Sequence, residues 1–153
     1  MKKFGIFYLV VAIVFTACKA DNGCKNVSPS SEEQQIISFA AANGINAVKH
    51  GSGMYYQIIS NGSGATPGLT STVTISYVGK RLDGSIFDQP AAPISYKLSD
   101  FIEGWKVGLP LIQKGGHIKL IIPSSMAYGC TGHPPVIGSN LVLYFDIQLI
   151  DVQ

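Results

Sequence analysis

Apolar residues recur at two different spacings along this chain. Between Ser31 and Gly44 they fall at Ile36, Ile37, Phe39, Ala40 and Ala41, a stripe of helical period. Ser30 with Glu33, or Ser31 with Gln34, supplies a capping box for the orphan amides of a helix start. Asn43-Gly44 supplies the stop, because glycine accepts the left-handed backbone at a helix end. From Met54 onward the period shortens to two. Met54 to Ser60 reads as a strand, and Val73 to Val78 alternates so that Val73, Ile75 and Tyr77 share one face. Leu82-Asp83-Gly84-Ser85 carries a hairpin turn, and Ile94 to Leu98 is a further short strand. Ser99 or Asp100 can cap a second helix from about Ile102 to Leu109, interrupted by Gly108 and stopped by Pro110. Lys114-Gly115-Gly116 turns the chain into a strand from His117 to Ile122. Leu141 to Val152 forms the last strand, with Leu141, Leu143, Phe145, Ile147 and Leu149 on one face.

Several strands with one short helix among them define an α+β domain: an antiparallel curved β-sheet wrapped over a short α-helix, with an N-terminal helical extension. The expected organisation is a leader over 1–17, a flexible tether over 18–30, the helical extension over 31–50 and the main domain over 51–153. The extension's apolar face is expected to bury against its own domain rather than a second copy; the chain is read as a monomer or dimer.

The leader reading rests on Lys2 and Lys3, the apolar run Ile6 to Phe15, and Thr16-Ala17-Cys18. That run falls short of the ~20 apolar residues a bilayer span needs. Small residues before Cys18 resemble a bacterial lipobox, with Phe15 in place of the usual Leu. This implies export, with lipid on the Cys18 thiol holding the protein to a membrane facing the periplasm or cell surface. The alternative is an ordinary secretory signal with an incidental cysteine.

Loss of the leader removes 2 of the 11 basic residues and leaves 9 against 9 acidic. With no basic stripe, nucleic acid is not an expected partner. Cys24 and Cys130 remain; an oxidising compartment permits a disulfide between them, and free thiols are equally consistent with the sequence. His50, His117 and His133 lack metal-ligand spacing. The Gly-Ser-Gly runs at 51–53 and 62–64 lack the Lys-Ser/Thr of a phosphate loop. Neither metal nor cofactor is expected.

Four segments carry the chemistry: Gly84-Ser85-Ile86-Phe87-Asp88, Phe101-Ile102-Glu103-Gly104-Trp105, Tyr128 to Pro135, and Leu141 to Leu149. In this order they resemble the FKBP-type peptidyl-prolyl isomerases over roughly residues 68 to 151. The resemblance implies a proline pocket with Trp105 as floor and Tyr77, Phe87 and Phe145 as walls. It implies Asp88 at the pocket edge near the Tyr77 hydroxyl, and hydrogen bonds to substrate carbonyls from the Tyr128 hydroxyl and the Ile102 N–H. Phe101, Val136 and Ile137 would add rim contacts, with His133 in the loop covering one side. Ile94 and Tyr96, which stand where phenylalanines are common in the family, would also contact substrate, and Met126 stands where a Tyr is frequent. The loop Gln89 to Pro93 is short and lacks the basic residue that often pairs with the aspartate. No chaperone subdomain is inserted before the last strand. The implied partners are proline-containing polypeptides, with an apolar residue before the proline, and macrolide inhibitors. The competing functional class is a non-catalytic module or holdase that grips proline segments; a third is a structural spacer of the cell envelope.

Overall fold

The structure, a computed structural model, describes residues 23–153. The leader over 1–17 and the lipid acceptor Cys18 lie outside the described residues. Among those described, no helix is long and apolar enough to cross a membrane.

Helix α1 spans Pro29–Ala42 and starts two residues before the expected extension. Proline presets the first helical φ and lacks the N–H that would be orphaned there. Neither capping box forms: Ser28 is the N-cap, and the Ser31 hydroxyl instead donates to the Ser28 carbonyl at 2.7 Å. Gly44 ends the helix with φ +62, as its sequence position implies. The strands are β1 (Val48–Lys49), β2 (Tyr55–Ser60), β3 (Thr72–Arg81), β4 (Ile86–Asp88), β5 (Ile94–Lys97), β6 (His117–Ile122) and β7 (Leu143–Val152). They pair antiparallel in the order β1-β2-β6-β7-β3-β4, and β5 also pairs with β3. β4 and β5 therefore share one edge of β3, on either side of the Gln89–Pro93 loop.

The second helix, α2 (Glu103–Gly108), departs from expectation at both ends. Ser99 and Asp100 belong to a separate 3-10 turn, Leu98–Asp100, and the N-cap is Ile102, whose side chain cannot cap. Phe101 and Ile102 are extended, so the side chains of Ser99 and Asp100 are carried away from the helix start. Gly108 does not interrupt the helix, since it keeps helical angles and lies against Leu120. Pro110 then sits in a 3-10 turn, Leu109–Leu111.

Strand alternation sorts the core into two layers. Ile118, Leu120 and Ile122 of β6 join Leu143, Phe145, Ile147 and Leu149 of β7 in the cluster beneath α2. The opposite face offers Tyr55, Ile121 and Tyr144, and there α1 seats Ile36 and Ala40. α1 is thus bound to its own sheet through a second core. Leu141 precedes β7 and is only half-buried, which trims the expected last strand by two residues.

Candidate active site

The twist of the sheet brings three strands to one end of α2. β3 supplies Tyr77, β4 supplies Phe87 and Asp88, β7 supplies Phe145, and α2 supplies Trp105. Trp105 is 3% exposed, and three rings surround it. Tyr77 meets it edge-on at 4.9 Å, Phe145 edge-on at 5.1 Å, and Phe101 stacks on it at 4.8 Å. Phe87 completes the wall, edge-on to Phe145 at 5.5 Å. Such pairs add roughly 0.5–1.5 kcal/mol each beyond their buried area, so the box is stiff.

These rings, with Ile102, Asp88 and Tyr128, line a cavity of about 180 Å³. Drug-sized pockets run at about 300–1,000 Å³, so the enclosed space suits one ring-sized side chain. The Tyr77 hydroxyl donates to Asp88 Oδ2, which orients the carboxylate with no basic partner among the described residues. Tyr128 enters from the loop between β6 and β7 and stacks on His133 at 5.2 Å. Among the described residues, neither the Tyr128 hydroxyl nor the Ile102 N–H is engaged by a protein acceptor.

All seven residues expected to do the chemistry, Tyr77, Phe87, Asp88, Ile102, Trp105, Tyr128 and Phe145, line this one cavity, as does Phe101. The remaining expected contacts lie elsewhere. Ile94 packs half-buried on the main core opposite Ile75, and Tyr96 is exposed with its ring edge-on to Phe101 at 6.1 Å. His133 backs Tyr128 rather than the cavity. Val136 is exposed, and its carbonyl accepts from the Arg81 guanidinium. Ile137 is 3% exposed and packs in the main core, and the bridge it makes with His133 folds the loop inward there.

Three residues escaped the sequence reading. Asp100 lines the cavity mouth. Arg81 bridges Ser85 Oγ at 2.9 Å and the Val136 carbonyl, tying the β3–β4 hairpin to the far loop. Gly79 lies in register with both Asp88 and Phe145, and a Cβ there would come within 2.8 Å of the Phe87 ring and 3.1 Å of Phe145. A glycine inside an otherwise β-prone strand was the available sign of that close approach.

Burial raises the Tyr77 hydroxyl pKa, with Asp88 adding to it, and raises that of Tyr128 in the same way. Tyr144 is raised by burial and then by Asp146. Burial with Glu33 pushes Tyr55 up to about 12. Each folded value lies above the unfolded value of about 10. The stabilisation these groups contribute is therefore complete below about pH 10 and is lost as the pH climbs towards the folded values. Ultraviolet titration is expected to show a tyrosine class that ionises at higher pH than the rest, and on the alkaline side denaturant midpoints are expected to fall above about pH 10. Titration of every tyrosine at about pH 10 would contradict the burial.

The sheet wrapped on a short helix, with a ring-lined cavity where they meet, has the architecture of the prolyl isomerase class. The family model for FKBP-type peptidyl-prolyl cis-trans isomerases matches residues 64–150, and the chain belongs to that family. It is 41% identical over 104 residues to the FKBP-type isomerase FkpA of Escherichia coli K12, covering 66% of this chain and 38% of that one. It is 38% identical over 105 residues to the outer membrane protein MIP of Legionella longbeachae, covering 67% of this chain and 45% of that one. The chain thus spans less than half the length of these curated relatives. The crystal structure of E. coli FkpA superposes with a TM-score of 0.73 at 36% identity, covering 82% of this chain and 59% of that one. A peptidyl-prolyl isomerase from Pseudomonas syringae superposes at 0.70 with 29% identity, covering 84% and 98%.

Proposed function

We propose that this chain accelerates cis–trans rotation of X–Pro bonds in polypeptides. Rotation faces a barrier of about 18–20 kcal/mol because C–N resonance must be broken. Uncatalysed exchange takes roughly tens to hundreds of seconds, slow enough to limit folding. The planar amide is the more charge-separated state and the twisted transition state the less. A dry aromatic box therefore disfavours the planar form relative to the twisted one. The proline ring rests on Trp105 between Tyr77, Phe87 and Phe145. The Tyr128 hydroxyl and the Ile102 N–H then serve the carbonyls on either side by hydrogen bonding that is strongest in the twisted geometry. Asp88, held by Tyr77, fixes the edge of the box. No covalent step enters this mechanism.

The single observation that supports this reading is the 180 Å³ cavity with an indole floor and three aromatic walls. A protease-free assay on an X–Pro peptide tests it: the chain is expected to raise the exchange rate in proportion to its concentration. Binding of the peptide without acceleration would place the chain among non-catalytic proline binders instead.

Finer parts of the reading follow from the same site. The ring of Phe101, which lines the cavity, favours an apolar residue before the proline, and macrolides that mimic the imide would compete. Clients would be exported polypeptides, with the chain held to a membrane by lipid on Cys18. Fully extended, the residues from Cys18 to Cys24 reach only about 20 Å, which would keep the pocket near that membrane.

A further inference from the structure

The connection between β6 and β7 runs from Pro123 to Val142, long for a segment with so little regular structure. It presents Tyr128 to the cavity, so whatever fixes this loop fixes a substrate donor. The N-terminal segment grips it at successive points. Glu32 Oε2 accepts from the Ser124 N–H at 2.9 Å, and Asn26 Oδ1 accepts from the Cys130 N–H at 2.8 Å. The Asn140 side chain donates to the Lys25 carbonyl at 3.2 Å. Cys24 is disulfide-bonded to Cys130, with the Cα atoms 5.4 Å apart. Tyr128 lies between the Glu32 and Asn26 attachments, four residues past Ser124 and two before Cys130.

Both attachments are built into the fold. Glu32 is 3% exposed, on the first turn of α1, and α1 is seated on the sheet by Ile36 and Ala40. Asn26 rests on Gly129, where φ is +56 and a Cβ would collide with Asn26 Oδ1. None of Cys24, Asn26 or Glu32 lines the cavity. The 18–30 segment is accordingly no free tether over its described part.

We propose that residues 24–32 form a strap that positions the Tyr128 loop, with Asn26 and Glu32 as positioning residues for isomerisation. The inference rests on the function proposed above. Displacing a positioned group by about 1 Å can cost about a hundredfold in rate. Asn26→Ala leaves the disulfide and the Glu32 attachment in place, so a smaller loss is expected: kcat down about five- to tenfold with KM nearly unchanged. Asn26→Asp keeps the acceptor and is expected to restore kcat to within about twofold of wild type.

The decisive comparison is a double-mutant cycle with Tyr128→Phe, read alongside amide hydrogen exchange of the loop. If the strap acts through Tyr128, Asn26→Ala lowers kcat in the wild-type background and not in Tyr128→Phe. Equal losses in both backgrounds, or none in either, would overturn the proposal. A wild-type chain with no isomerase activity would sink the functional reading separately. Exchange then decides the strap alone: faster exchange at Cys130 and Gly132 in Asn26→Ala upholds it, and unchanged exchange refutes it.

Discussion

Trp105→Leu is expected to lower kcat/KM on a short X–Pro peptide by about ten- to hundredfold, because it removes the floor on which the imide turns. Three ring partners lose their contact with the indole at once. The indole Nε1 is buried without an acceptor among the described residues, so ring area is lost and no internal hydrogen bond is broken. The same substitution is expected to lower stability by about 2–4 kcal/mol through the space it leaves. Assays run well below the variant's melting temperature separate the two effects. A folded Trp105→Leu chain with wild-type kcat/KM would show that the cavity is not where rotation is accelerated.

Gly104→Val is expected to destabilise the scaffold by about 3 kcal/mol. A Cβ at Gly104 would lie 2.5 Å from Cγ2 and 2.6 Å from Cδ1 of Ile122, which is itself fully buried. One helical turn on, Gly108 meets Leu120 in the same way, at 2.6 and 2.8 Å. These two glycines let α2 lie directly on β6. Helix propensity favours a side chain over glycine by up to about 1 kcal/mol, so overpacking wins by a clear margin. Thermal unfolding should move down by about 10 °C, and isomerase activity should fall with it because Trp105 is the next residue. An unchanged melting temperature would mean that α2 does not sit on the sheet at this distance.

Much of this was legible in the chain. Alternation along Val73 to Val78 and Leu143 to Leu149 registers because each strand buries one face, and the ring residues lie close to Gly, Pro and Asp-Gly signals that fix their spacing. β1 and β4 were missed because two or three residues cannot display a period. The caps were misassigned for a different reason. Pro29 starts α1 early, and extended backbone at Phe101 and Ile102 isolates the side chains of Ser99 and Asp100. The burial of Ile137 is not legible in the chain because it depends on a bridge to His133 that only the folded loop makes. Arg81 ties the β3–β4 turn to the loop carrying Val136, a contact that leaves little trace in a single sequence, and Gly79 shows only as a glycine in a β-prone strand. The Cys24–Cys130 pairing was an open alternative, since 106 residues separate the two cysteines and only the fold brings them together.

The most direct measurement is exchange NMR of an Ala-Pro peptide with a catalytic quantity of the chain, observing the peptide's cis and trans signals together with the indole N–H of Trp105. Cross-peaks between the isomers on a sub-second timescale, with a peptide-dependent shift of the indole resonance, are the predicted result. Isomers that interconvert no faster than in buffer while the indole signal stays still would contradict the account.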